Sequence, residues 1–219
     1  MKTKVSLFVA LLAVFVFAPA CKSGGEGGGN SNGGGTSDGG KTVSNEPSKL
    51  TIKSQSLNEP EVVLELEGKK SVVKTEKIKL GYGNDAVEVL AHKLIIANFD
   101  FDPKAKFVKP TKNGEILISI PLFAAKDATE STPIASGTYQ PVEDRKNAAM
   151  KVGEIIVYYY KVENDVIKDK SFAIADMGIR NGSIKISSVS DVQIQGTIDD
   201  FGAGKFSNIK GVFNAAIVK

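Results

Sequence analysis

Beyond residue 46 the sequence predicts an all-β fold of about ten strands, an antiparallel β-sandwich with a β-barrel as its alternative, on three observations. Runs rich in Val, Ile, Tyr and Phe alternate apolar with polar residues at period two, the spacing of a half-buried strand. Turn residues interrupt these runs roughly every 8 to 12 positions, as antiparallel all-β folds require. In the C-terminal third several runs follow one another directly, each entering the next through a turn. Uneven strand lengths favour the sandwich, because a calyx needs a steadier up-and-down meander.

Along the chain, Val62, Leu64 and Leu66 alternate with Val63 and Glu65. Lys69, Lys70, Lys74, Lys77 and Lys79 read as a solvated strand face whose lysines block strand addition, in preference to a surface for anionic glycan or lipid headgroups. Asp85 to Ile96 fits two periods. Val87, Leu90, Ala91 and Leu94 share a helical face behind an Asp85/Glu88 capping box, whereas Leu90, His92, Leu94 and Ile96 alternate. The run continues to Phe99 without a stop signal, which favours a strand. Ile116, Ile118 and Ile120 follow an Asn113-Gly114 turn, and Pro133 to Tyr139 is a short strand.

Ile156, Tyr158, Tyr160 and Val162 take one face of the next strand, and Ile155, Val157 and Tyr159 the other, so both faces are amphipathic or apolar and the strand is central. Glu163-Asn164-Asp165 turns the chain into Val166 to Ala175. Asn181-Gly182 has the residues of a type I′ hairpin, whose two central positions need positive φ. Ser183 to Ser188 then points Ile184 and Ile186 inward. Val192, Ile194 and Ile198 oppose Gln193, Gln195 and Thr197, and a glycine-rich turn over Asp199 to Lys205 leads to a last strand, Ile209 to Val218.

The N-terminus has a different texture. Met1 to Lys4 is a short basic region, and Val5 to Phe17 is apolar or small except for Ser6, which together make a secretory signal. The apolar run is shorter than the roughly 20 residues a spanning helix needs. Ala18-Pro19-Ala20-Cys21 follows and resembles a lipobox, the sequence cut before a cysteine that receives diacylglycerol, with Ala18 standing where Leu is usual. Cleavage is expected between Ala20 and Cys21, and lipidation at Cys21, the chain's single cysteine. An unpaired thiol in an oxidising compartment is otherwise a liability. Each acyl methylene buried contributes about 0.8 kcal/mol, so two or three chains anchor permanently.

Residues 22–46 (KSGGEGGGNSNGGGTSDGGKTVSNE) hold nearly half of the chain's 22 glycines and one sizeable apolar residue, Val43. Such a segment cannot bury enough surface to offset its ordering entropy and is expected to be a tether of roughly 25 to 30 Å r.m.s. span. Its Gly40-Lys41-Thr42 has neither the preceding strand nor the following helix that a phosphate loop requires. The expected organisation is a signal peptide over residues 1–20, lipidated Cys21 and linker over 21–46, and the β domain over 47–219. That domain is long enough to bury roughly 70% of its unfolded surface without disulfide or metal.

Of 219 residues, 42% are hydrophobic and 24% charged, which is ordinary for a globular protein. The formal charge of +3 includes Lys2 and Lys4, so the processed chain is near neutrality. Nucleic acid is therefore not an expected partner, since counterion release needs a concentrated basic face.

Four strands carry a resemblance. Ser136-Gly137-Thr138-Tyr139, Gly182-Ser183-Ile184-Lys185-Ile186, Gln195-Gly196-Thr197-Ile198 and Lys210-Gly211-Val212-Phe213-Asn214-Ala215 occur in an order similar to uncharacterised β-rich bacterial lipoproteins of Gram-negative species. The resemblance covers roughly residues 134–219, implies a β-sandwich lipoprotein and lends no catalytic residue.

Chemistry is sparse. His92 is the only histidine, which removes multi-histidine metal sites, and no Gly-x-Ser-x-Gly elbow accompanies it. Its apolar row reads as that of a satisfied or edge histidine. Asp100 and Asp102 point to one side of an extended segment and are the candidate Ca²⁺ ligands, with Asp199-Asp200 a weaker pair; neither has the spacing of a calcium loop, and a structural role in turns is the favoured reading for both. Tyr159 reads first as core packing; as an outward tyrosine able to stack on a sugar it is also the candidate ligand contact. No catalytic residue and no cofactor are expected.

The expected function is that of a membrane-anchored envelope lipoprotein with a non-enzymatic binding or structural β domain, partnered by the membrane and by a glycan, a lipid or an envelope protein. Lys22 in place of Asp after Cys21 allows sorting to the outer membrane, on its periplasmic or surface face. The alternatives are a carboxylate-dependent hydrolase using Asp100 and Asp102, and a lipid-carrying barrel.

Overall fold

Period-two alternation buries every second side chain of a strand, and those buried rows here meet in one place. The computed structural model describes residues 46–55, 60–80, 86–142, 149–163, 166–174, 181–203 and 207–219. Twelve strands are formed: β1 (Ser48–Ser54), β2 (Val62–Gly68), β3 (Lys70–Leu80), β4 (Val87–Ala97), β5 (Ile116–Phe123), β6 (Gly137–Pro141), β7 (Lys151–Val152), β8 (Ile155–Glu163), β9 (Val166–Ile174), β10 (Asn181–Val189), β11 (Gln193–Gly202) and β12 (Ser207–Ile217). They lie within one compact unit, residues 41–219.

The sheet closes on itself. Eight strands run β11-β10-β6-β7-β5-β4-β3-β12, and β12 pairs back with β11 from Gln193↔Ala216 to Gly202↔Asn208. The all-β expectation is met, and closure makes the fold the barrel alternative in place of the sandwich that strand lengths favoured. Two strands lend one edge to two neighbours in succession. β12 pairs β1 from Lys49↔Val212 to Ser54↔Ser207, then β3 in parallel at Ala216↔Val72 and Ile217↔Val73. β5 pairs β8 from Ile116↔Tyr159 to Ser119↔Ile156, then β7 at Leu122↔Val152. The hairpins β1–β2 and β8–β9 therefore branch off the ring, and the seams that close it are only one or two residue pairs long.

A single cluster of buried residues receives side chains from all twelve strands. Leu50 and Leu66 come from the β1–β2 hairpin, Val157 and Ile174 from β8–β9, and Leu94, Ile96, Ile118, Ile120, Ile186, Phe201 and Phe213 from the ring. This fills the interior, as in other eight-stranded barrels of small bore, and gives residues 41–219 their own core. Asp85 to Ile96 is settled as strand: β4 pairs β3 from Lys70↔Ala97 to Leu80↔Val87, with Leu94 and Ile96 fully buried. Asp85 itself lies outside the described residues.

A second layer covers the outer face of β3, β4, β5 and β8. Val72, Ile95, Ala97 and Leu117 are buried there beneath Phe99, Phe101 and Val108 of the segment that crosses from β4 to β5. Three lysines of the β3 run hold that segment. Lys69 pairs with Asp100, Lys70 Nζ donates to the Phe101 carbonyl (2.6 Å), and Lys74 Nζ to that of Ala105 (3.4 Å). Lys77 pairs with Glu88 at 3.5 Å.

Two turn expectations and one strand position are corrected. Asn181-Gly182 lies inside β10, where Gly182 (φ 82°) sits at a register shift opposite β11; a Cβ there would come within 2.1 Å of the Asp199 carbonyl oxygen. The positive φ read as a hairpin belongs to a bulge. For the same reason Asp199 and Asp200 are strand residues, since β11 extends to Gly202. Val192 lies in the turn before β11 and is exposed, whereas Ile194 and Ile198 are buried as expected. Gly196 admits the ring of its cross-strand partner Phe213, whose Cζ is 2.3 Å from where a Cβ would stand.

Candidate functional site

Two adjacent inward rungs of the β3–β4 ladder differ in chemistry. Val73 faces Leu94, both buried in the core, and the next inward pair is Thr75 opposite His92. His92 is 3% exposed, and its Nδ1 shares a 3.0 Å hydrogen bond with Thr75 Oγ1. Burial lowers its pKa below the ordinary value of 6.5, so the ring is neutral at pH 7, with one nitrogen a donor and the other an acceptor.

This rung stands in the wall of a cleft of about 930 Å³ at the barrel mouth. Val73, Ile134, Val189 and Ile217 give it an apolar side continuous with the core. Its rim is polar and comes from four other places: Ser131 and Thr132 between β5 and β6, Lys104 from the crossing segment, Ser190 and Asp191 between β10 and β11, and Lys219 after β12. Lys74, Lys104 and Lys219 face it with Glu130 and Asp191, a near-balance of charge.

The rim is held by its own hydrogen bonds. Thr129 N donates to Thr132 Oγ1 (2.8 Å) while Thr132 N donates to the Thr129 carbonyl (2.8 Å). Ser190 Oγ accepts from Gln193 N (3.0 Å) and donates to the Gln193 carbonyl (3.1 Å). Below it Tyr139 is buried and donates its hydroxyl to the Ala135 carbonyl at 3.0 Å; burial pushes that phenol up to about 12, so it stays a donor. Such an arrangement can accept and donate hydrogen bonds above an apolar floor, and it presents one neutral imidazole–hydroxyl pair. Glu76, next to Thr75 in sequence, bonds to Lys93 (2.9 Å) instead of orienting the imidazole.

The residues singled out from sequence are placed as follows. Asp100 is ion-paired with Lys69; the hydrogen bond from that ammonium, with the attraction of Lys69 and Lys70, outweighs desolvation and holds its carboxyl below the usual range. Asp102 Oδ1 accepts from Lys104 N (2.9 Å), a local turn contact. Both aspartates thus serve the crossing segment, and among the described residues no group of three or more His, Cys, Asp or Glu side chains stands together to hold a metal.

Tyr159 does not face outward. Ile155 and Val157 turn their side of β8 into the core, which brings Tyr159 against that core with its ring edge-on to Phe172 (6.0 Å). The tyrosine on the outer face is Tyr158, edge-on to Phe107 at 6.3 Å. Ala20 and Cys21, with the rest of residues 1–45, lie outside the described residues.

His92 is the satisfied histidine that its apolar row implied, yet it lines the cleft. Thr75 gave no signal, since a threonine in a strand is ordinary; the one clue was a polar residue interrupting the row of Leu90, Leu94 and Ile96. Among the described residues no helix is long and apolar enough to cross a membrane. No family model matches the chain, and no curated protein and no solved structure matches it either.

Proposed function

We propose that this chain is a lipid-anchored envelope protein whose barrel is a non-enzymatic binding module, taking a small polar or amphipathic ligand at its mouth. The mouth cleft carries the reading. Its volume of about 930 Å³ falls in the range of roughly 300 to 1,000 Å³ usual for ligand sites, and it joins an apolar floor to a few convergent polar groups, which is how such sites combine affinity with orientation. Thr75, His92 and Ser190 supply the hydrogen bonds and Val73 and Ile217 the apolar contact. A glycan fragment or the head of a lipid fits that chemistry.

Anchoring rests on the Ala18-Pro19-Ala20-Cys21 sequence after the apolar run. The hydrolase alternative draws no support from Asp100 and Asp102, each engaged in a structural contact. A lipid carried inside the barrel would have to displace Leu94, Ile118, Ile120 and Phe201, which occupy the interior; an acyl chain laid across the mouth needs no such displacement.

The test has two arms. Protein isolated from its native host is expected in the detergent phase, with a mass showing acylation at Cys21, and a Cys21→Ser chain in the aqueous phase. Residues 41–219 are then titrated with N-acetylglucosamine oligosaccharides and with short-chain phosphatidylglycerol. Saturable binding that weakens at least several-fold in Thr75→Val supports the module; turnover of either compound overturns the non-enzymatic reading.

A further inference from the structure

The segment crossing from β4 to β5 carries a second feature, on the outer wall of the barrel. From Lys104 to Asn113 its sequence, KAKFVKPTKN, contains four lysines and no acid. Lys104, Lys106, Lys109 and Lys112 are all exposed. Phe107 sits among them with 65% of its surface in solvent, the most exposed large hydrophobic residue among those described and the one aromatic in that set. We propose that this segment is a contact surface for anionic lipid headgroups, with Phe107 as the apolar tip and the lysines as its charged collar.

The segment is built to present that tip. Phe99 and Phe101 pack edge-on at 6.3 Å, and with Val108 they cover the outer apolar layer. Lys70 and Lys74 hold its backbone from β3. Glu115 accepts from the amides of Thr111 (2.7 Å) and Lys112 (3.0 Å), and Asn98 bridges its two ends by donating to the Gly114 carbonyl and accepting from Ile116 N, both at 2.8 Å. Asp100 pairs with Lys69, Asp102 and Glu115 accept from backbone amides, and Glu76 pairs with Lys93 and Lys74. Pro103 and Pro110 stiffen it further. A tip fixed in advance loses little entropy on docking.

Chemistry selects the partner. An aromatic ring on the surface favours the headgroup region, where one side is apolar and the other wet. Each lysine near an anionic leaflet strengthens association roughly fivefold. Nucleic acid fits less well, because the basic patch is short and the whole chain carries a formal charge of only +3. The inference does not require the Cys21 anchor. With that anchor in place, the patch would fix which wall of the barrel faces the bilayer.

The experiment uses residues 41–219, which carry no acylation site, sedimented with vesicles of phosphatidylcholine alone or enriched in phosphatidylglycerol. Expected is binding to the anionic vesicles only, weakening with added salt. Lys106→Gln/Lys112→Gln should lower the partition roughly tenfold or more with unchanged melting temperature, and Phe107→Ser should lower it roughly tenfold with the fold retained. Absence of binding to anionic vesicles, or binding equal in both variants, overturns the proposal. So does a binding that needs the lysines but not Phe107 and is displaced by heparin, which would mark a general polyanion site.

Discussion

Along β3 and β4, one rung separates the core of the barrel from its mouth. Val73 and Leu94 form a rung with nothing to hydrogen-bond, sealed among Ile96, Ile118 and Ile120. Thr75 and His92, two residues further in each strand's pattern, form the next inward rung, and there the backbone geometry is unchanged while the chemistry becomes polar. A barrel of this bore has no space for a ligand in its middle, so binding chemistry can enter only at an end, and two side chains suffice to convert the last rung of a core into the wall of a site. The rest of the site is supplied by loops, which carry no ladder of their own and are free in sequence.

The largest contrast between the rungs is in stability. Leu94→Ala is expected to cost about 2 to 5 kcal/mol through lost burial and an unfilled cavity, read as a fall in the denaturant midpoint. A loss under about 1 kcal/mol would show that the interior is not packed as described. Thr75→Val keeps shape but removes the hydroxyl, leaving His92 Nδ1 of a buried ring without that partner, for a loss of about 1 kcal/mol. If Thr75→Val matched Leu94→Ala, the two rungs would be alike and the distinction would fail.

A smaller effect concerns pH. The pKa of His92 is depressed by burial from 6.5, so below that value the unfolded chain takes up a proton that the folded ring refuses. Stability contributed by the neutral ring is full above 6.5 and is lost as pH falls from there toward the folded value. His92→Gln should remove this slope while leaving the acid transition at carboxylate pH, to which Asp100 and Glu115 contribute because both are held below their usual range. For Glu115 desolvation opposes that shift, and the hydrogen bonds from Thr111 and Lys112 outweigh it. An identical slope in His92→Gln would place the sensitivity elsewhere.

Much of the fold was legible because burial follows period two wherever a strand has one dry face. Ile116, Ile118 and Ile120, or Ile184 and Ile186, announce their strands without ambiguity, and β4 declared itself by running on past any helix stop. Closure was not legible. It depends on Ala216 and Ile217 meeting Val72 and Val73, and on a two-residue strand, β7, bridging Leu122 and Pro141; contacts so short leave no periodic trace. The Asn181-Gly182 pair misled because a bulge and a hairpin both ask glycine for positive φ. Tyr159 packs on the core as its favoured reading had it, but alternation alone left the ligand contact open, because it assigns residues to two faces without saying which is inside when both are apolar. The cleft was hidden for a different reason: Thr75 and His92 come together only through the β3–β4 register, and its rim comes from segments far apart in the chain.

Chemical-shift mapping of residues 41–219 with an N-acetylglucosamine oligosaccharide or short-chain phosphatidylglycerol tests the central claim most directly. Saturable shifts centred on Thr75, His92, Ser190 and Ile217, with Leu94, Ile118 and Ile120 unmoved, are the expected result. Shifts that spread through those interior residues, or that leave the mouth untouched while perturbing another face, would contradict binding at the end of a closed barrel.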